Sequence, residues 1–129
     1  MKKALFGLFL FSFLSSCVAQ NSGYNIQLKI KGYKDTTCYL GNHFGDKQYI
    51  RDTGMINSKG IAVFTGKKSL PAGIYLGVMP GKTFFEFIVT DENQTFSLET
   101  DKADLVGKMK VSGSQENTWF FDYLQFVYK

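Results

Sequence analysis

From Asn25 onward, apolar and polar residues alternate. In NIQLKIKG, Ile26, Leu28 and Ile30 fall on one side and Gln27, Lys29 and Lys31 on the other, the two-residue period of a half-buried strand. TCYLGNHF and QYIRDTGMI read as a second and third strand, joined through Gly45-Asp46-Lys47. A turn follows at Asn57-Ser58-Lys59-Gly60, with Gly60 suited to a left-handed position, and Ile61, Val63 and Phe64 resume the strand. SLPAG breaks the chain and GIYLGVM follows. Pro80-Gly81 fits the centre of a type II turn, because proline presets the first torsion and glycine tolerates the positive one. TFFEFIV, TFSLET and KMKVSG complete the series. About eight short strands at intervals of roughly ten residues predict an all-β antiparallel sandwich or open barrel. No amphipathic helix separates them, which argues against a parallel α/β sheet.

Only the end of the chain changes period. Ser114 can cap a helix, with Glu116 in the first turn where the helix dipole favours a negative charge. Phe120, Tyr123, Leu124 and Val127 then fall at i, i+3, i+4 and i+7 on one face, while Trp119, Phe121, Phe126 and Tyr128 lie outside it. Apolar residues thus cover well over half of the helix surface. Such a helix is normally buried on several sides, so the sandwich is expected to cover one and something else the rest.

The first stretch, MKKALFGLFLFSFLSSCVAQ, has a basic start and an apolar run too short to span a bilayer comfortably, as in a secretory signal. Leu14-Ser15-Ser16-Cys17 resembles the bacterial lipobox, in which the cysteine thiol accepts a diacylglycerol and cleavage makes that cysteine the new N-terminus. Small residues before Cys17 let a peptidase close on the bond, and several acyl chains at about 0.8 kcal/mol per buried methylene make a firm anchor. The alternative is an incidental Cys17, with cleavage after Ala19. Both readings export the protein. The expected organisation is a lipoprotein signal peptide over 1–16, a polar tether over 17–23, the β-sandwich over 24–113 and a helix over 114–129.

Composition narrows the function more by exclusion than by indication. The 129 residues suit one domain after the leader, and the aromatic content (Phe 13, Tyr 7, Trp 1) is enough for a core without disulfides or metals. Setting aside Lys2 and Lys3 leaves 13 basic against 11 acidic residues, too even a balance to indicate nucleic acid. With Cys17 lipidated or removed, Cys38 has no partner thiol, and its strand-like context predicts a buried, inert side chain. His43 is the only histidine, so neither a histidine-based metal site nor a Ser-His-Asp arrangement can be assembled, and an edge position at a strand end is expected for it. Gly81-Lys82-Thr83 matches the end of a phosphate-binding loop, but the first glycine of that motif is replaced by Leu76 and a strand follows where a helix should. Asp91-Glu92 and Asp101 with Asp104 read as solvated turn acids. No catalytic residue, cofactor or metal is assigned. Asp35-Thr36-Thr37 resembles the short acceptor for protein O-glycosylation in Bacteroidota, which makes Thr36 a candidate; a plain turn is the alternative.

RDTGMINSKGIAVFTG, then PAGIYLGV, then VSGSQENTWFFDYLQF, resembles a domain of unknown function in secreted and lipid-anchored Bacteroidota proteins. There a β-sandwich precedes a thioredoxin-like domain of the thiol:disulfide interchange or peroxiredoxin type. The resemblance runs from Tyr24 to Lys129. The family's Asp-Ser corresponds to Asp52-Thr53, its Gly-x-Tyr to Gly73-Ile74-Tyr75, and its Gly-Ser-plus-Asn helix entry to Gly113-Ser114 and Asn117; its G-x-F-x-F-x-G hairpin is degraded here to 60–66. The redox cysteines of such proteins lie in the later domain and have no counterpart here, so no enzymatic role is carried over. The resemblance implies a non-catalytic, membrane-tethered accessory domain acting as spacer, docking or dimerisation module, periplasmic-facing in the cell envelope. The helix would be a connector, cut off within this sequence, whose Trp119, Phe120, Tyr123, Leu124 and Val127 dock on a thioredoxin-like domain. Homo-oligomerisation is compatible with that role. The alternative is a stand-alone envelope lipoprotein that binds glycans or peptides.

Overall fold

A computed structural model describes residues 23–128. In chain order the elements are β1 (Tyr24–Lys31), β2 (Thr36–Phe44), β3 (Lys47–Ile56), β4 (Ile61–Gly66), β5 (Gly73–Met79), β6 (Thr83–Val89), β7 (Thr95–Asp101), β8 (Lys110–Ser112) and α1 (Gln115–Val127). The strands form two four-stranded sheets, β4-β1-β7-β8 and β3-β2-β5-β6. Their inner faces meet in a sandwich, the predicted fold class. Alternation puts Ile26, Leu28 and Ile30 of β1 and Phe96 and Leu98 of β7 into the core against Tyr75, Phe85 and Phe87 of the other sheet. Phe87 and Phe96 meet edge to face at 6.0 Å across the sheets. Gly77 makes room for this layer: a Cβ there would stand 2.9 Å from the Phe85 ring and 3.3 Å from Leu28.

One pairing corrects the all-antiparallel expectation. β1 and β7 run parallel, from Asn25 opposite Thr95 to Lys31 opposite Asp101. Parallel neighbours need a long connection, often helical. Here the connection is the entire second sheet together with β4, so no crossover helix was there to be read.

The turns follow their chemistry closely. Gly60 takes φ +80, and the Asn57 carboxamide oxygen accepts from the Lys59 and Ile61 amides at 2.8 and 3.1 Å. Between β5 and β6, Gly81 has the expected positive φ of 79°, but Lys82 is left-handed too (φ 62°) and Pro80–Lys82 form a single 3-10 turn, one residue longer than a plain type II turn. The β2–β3 hairpin turns on Gly45-Asp46 alone, with Lys47 already paired to Phe44. A register shift between Leu40 and Gly41 bends this hairpin, and residues 47–51 are exposed at every position.

The helix closes the side of the sandwich where β6 and β8 are the outer strands. Ser114 caps it as predicted, its hydroxyl accepting from the Asn117 amide at 3.2 Å. Asn117 is fully buried: its carboxamide oxygen accepts from Ile88 N–H at 2.7 Å and its amide donates to Ile88 C=O at 2.7 Å. One side chain thereby supplies edge strand β6 with the pair of bonds a further strand would make. Phe121 enters the core, with Phe120 and Leu124 packed partly against it. The Gln125 amide donates to the carbonyls of Val106 and Met109 at 3.0 and 3.1 Å, tying the last turns of the helix to the loop before β8.

Candidate docking surfaces

The face of α1 that meets the sandwich is not the one its apolar spacing marks out. It runs through Asn117 and Phe121, turned by about one residue step (roughly 100°) from the centre of the Phe120, Tyr123, Leu124, Val127 set. Counting apolar spacing skips a polar anchor, and Asn117 is the residue that sets the rotation. The five residues expected to dock therefore split. Phe120 and Leu124 are half-buried against the sandwich, whereas Trp119, Tyr123 and Val127 face solvent, with Trp119 65% exposed. Phe126, which the sequence pattern left aside, joins them at 75% exposure. Trp119, Tyr123 and Phe126 follow at i, i+4 and i+7, an apolar stripe opposite the buried face. Asp122 and Glu116 are the acidic residues on the described helix.

A second exposed group lies at the tip of the β2–β3 hairpin. Phe44, 71% exposed, meets Tyr49 edge to face at 6.4 Å, and the Arg51 guanidinium lies 5.8 Å from the Tyr49 ring centre. Arg51 is held there by a 2.9 Å bond from its Nε to the Asn42 side-chain oxygen. A third feature is a cleft of about 500 Å³ between the 104–107 loop and the end of α1, lined by Val106, Leu124, Gln125 and Tyr128. Its Asp104 carboxylate is already engaged, accepting from Gly107 N–H at 2.9 Å.

A family model described as Domain of unknown function (DUF4369) matches residues 24–120, three quarters of the chain. The chain belongs to that family. No curated protein and no solved structure matches it. The matched segment of this DUF4369 member takes in all eight strands and the start of α1 as far as Phe120, Asn117 included.

Within the DUF4369 segment, the Asp-Ser counterpart sits at an interior crossing. Asp52 accepts from the Tyr24 hydroxyl at 2.8 Å and from Thr53 N–H at 2.8 Å, so one carboxylate links β1 of one sheet to β3 of the other. Burial, and then the hydrogen bond to Asp52, push the Tyr24 hydroxyl up to about 12. Tyr75, the tyrosine of the Gly-x-Tyr element, donates to Pro71 C=O at 2.6 Å and is raised chiefly by burial. Gly113 takes φ +83 immediately before the Ser114 cap. These positions fasten the fold together.

Of the remaining sequence candidates, Cys38 is fully buried on β2 and its thiol is pushed up to about 11, first by burial and then by the Asp52 charge. It is a protonated, packed side chain, as expected. His43 is half-exposed near the end of β2, with Nε2 3.8 Å from Glu86 Oε1. Thr36 is the first residue of β2, half-buried and opposite Ile56, while Asp35 before it holds the turn at φ +50. Cys17 lies outside the described residues. Among the described residues there is no group of three His, Cys, Asp or Glu side chains that could hold a metal, and no helix long and apolar enough to cross a membrane. Sequence reasoning missed the Asn117 clamp, whose only signal was an Asn three residues after a capping Ser, and the buried Gln94, which accepts from Leu70 N–H and donates to Leu70 C=O, both at 2.8 Å.

Proposed function

We propose that this domain is the non-catalytic accessory module of a membrane-anchored, exported thioredoxin-like protein, tethered through a lipid on Cys17 and coupled to its partner domain through α1. One observation carries the reading: α1 has two apolar faces, and the sandwich uses only one. Asn117 and Phe121 fix the helix rigidly to the sheets, while Trp119, Tyr123, Val127 and Phe126 remain exposed on a helix that cannot swing away. A rigid connector of this kind transmits orientation, which a flexible linker does not. No catalytic role is assigned to this segment.

The coding DNA past the codon for Lys129 provides the test. A frame continuing into a thioredoxin-like domain with redox cysteines supports the reading, and a stop codon at that point refutes it. The anchor is tested separately: Cys17→Ser should move the protein from the membrane fraction to the soluble one. A second reading, glycan or peptide binding in the cell envelope, is favoured by the exposed Phe44, Tyr49 and Arg51 group. Its mark would be glycan or peptide affinity abolished by Phe44→Ala.

A further inference from the structure

The two sheets differ in a way that sandwich packing alone does not explain. In the β4-β1-β7-β8 sheet, β1 and β7 alternate strictly, and their outward residues are polar, as in the Lys29–Glu99 pair at 3.8 Å. In the β3-β2-β5-β6 sheet, β5 (GIYLGVM) and β6 (TFFEFIV) are apolar at nearly every position. An antiparallel strand with one solvated face alternates, and a continuous apolar run belongs to a strand covered on both faces. Here the outer cover is only partial: Leu76 is buried and Ile74 and Val78 half-buried, whereas Phe84 is exposed.

The register identifies what is left open. Thr53, Tyr39, Val78 and Phe84 form one outward row across the four strands, and Ile50, Gly41, Leu76 and Glu86 form the next. Tyr39, Phe84 and Ile50 are exposed, while Leu76, outside the core cluster, is sunk among its neighbours at 3%. Gly41 keeps the middle of the face flat. On this face His43 Nε2 lies 3.8 Å from Glu86 Oε1.

We propose that this outer face is where a second copy of the chain docks, sheet against sheet about a two-fold axis. Four strands about 4.8 Å apart and seven residues at about 3.4 Å give a face of roughly 450 Å² in projection. Two such corrugated faces remove on the order of 1,000 Å² or more, the threshold for a specific interface. The rows carry no outward cation for an anionic partner and few polar groups for a sugar. Glu86 lies on edge strand β6, so a two-fold axis running along the strands through the middle of the face sets β6 of one copy over β3 of the other and keeps the two Glu86 carboxylates apart. The inference concerns a different surface from the α1 stripe and stands without that reading.

The full chain is examined by sedimentation from about 1 to about 100 μM, a range that brackets a micromolar association. A dimer is expected, reduced to monomer by Tyr39→Glu with Phe84→Glu and retained by Trp119→Glu with Phe126→Glu. A wild-type chain that stays monomeric at the highest concentration overturns the proposal, as does dissociation by the helix pair instead of the sheet pair. Should the sheet variant lose its β-sheet circular dichroism, hydroxyl-radical labelling of the wild type decides. Tyr39, Phe84 and Met55, which lies one row beyond Thr53 opposite Thr37, should become protected as concentration rises, and unchanged labelling rejects the interface.

Discussion

Replacing Asn117 with alanine tests the claim that one buried side chain, more than the apolar spacing of the helix, sets how α1 sits on the sandwich. The substitution removes the two 2.7 Å bonds to Ile88 and the 3.0 Å bond to the Ser114 hydroxyl. Each such bond contributes about 1 kcal/mol net, and its loss costs about 1–3 kcal/mol where a buried backbone group is left without a partner. Ile88 is only half-buried, so water can reach part of the gap and the lower end applies. The expected loss is about 2–4 kcal/mol. At about 4–8 °C per kcal/mol for a domain of this size, Tm should fall by roughly 8–32 °C. Urea unfolding followed by far-ultraviolet circular dichroism measures it, with hydrogen exchange at the Ile88 amide as a local readout. Asn117→Asp sharpens the test. At neutral pH its carboxylate still accepts from Ile88 N–H but stands against Ile88 C=O, so it should be at least as unstable as the alanine variant. A protonated carboxyl can donate to that carbonyl. The folded state therefore raises the pKa of the introduced group, and the aspartate variant should gain on the alanine variant as pH falls through that pKa. A loss below about 0.5 kcal/mol for Asn117→Ala, with unchanged exchange at Ile88, would mean that apolar packing alone places the helix.

Three further outcomes follow from the same geometry. Phe121→Ala should cost about 3–5 kcal/mol in urea unfolding because it opens a cavity where helix and sheets meet, whereas Phe126→Ala should change stability by less than about 0.5 kcal/mol. Tyr24 is raised to about 12, so the fold favours its protonated form; that contribution is intact below pH 10 and is lost as pH climbs toward 12, and Tyr24→Phe should flatten this part of an alkaline stability profile. Cys38, raised to about 11, should resist a thiol reagent at pH 8 in the folded protein and react promptly in denaturant; fast labelling of the native chain would contradict its burial.

The deletion of 117–129, which a loosely appended helix would survive, is expected to unfold the domain. Phe121 is part of the core, and Asn117 supplies an edge strand with its hydrogen bonds. Substitutions on the solvent stripe are therefore the cleaner way to separate docking from stability.

Local chemistry made much of this protein legible. Period-two runs, and short apolar runs bounded by turn residues, placed the eight strands, Asn57 and Gly60 marked their turn, and Ser114 marked the start of α1, because each depends on residues adjacent in sequence. The burial of Cys38 was readable for the same reason. Partner choice between distant segments was not. The parallel register of β1 with β7 depends on where the chain between Lys31 and Thr95 leads, and no local pattern encodes that. Nor did the apolar count reveal the helix rotation, since the deciding contact joins a polar side chain to a backbone 29 residues away. The same limit hid the contrast between the sheets: GIYLGVM reads as a strand wherever it lies, and only the assembled sandwich shows that its second apolar face belongs to a sheet side on which Tyr39, Ile50 and Phe84 stay exposed. Sequence fixes what a segment prefers to be, through short-range sterics and hydrogen bonding, whereas the closure of long loops decides what it meets.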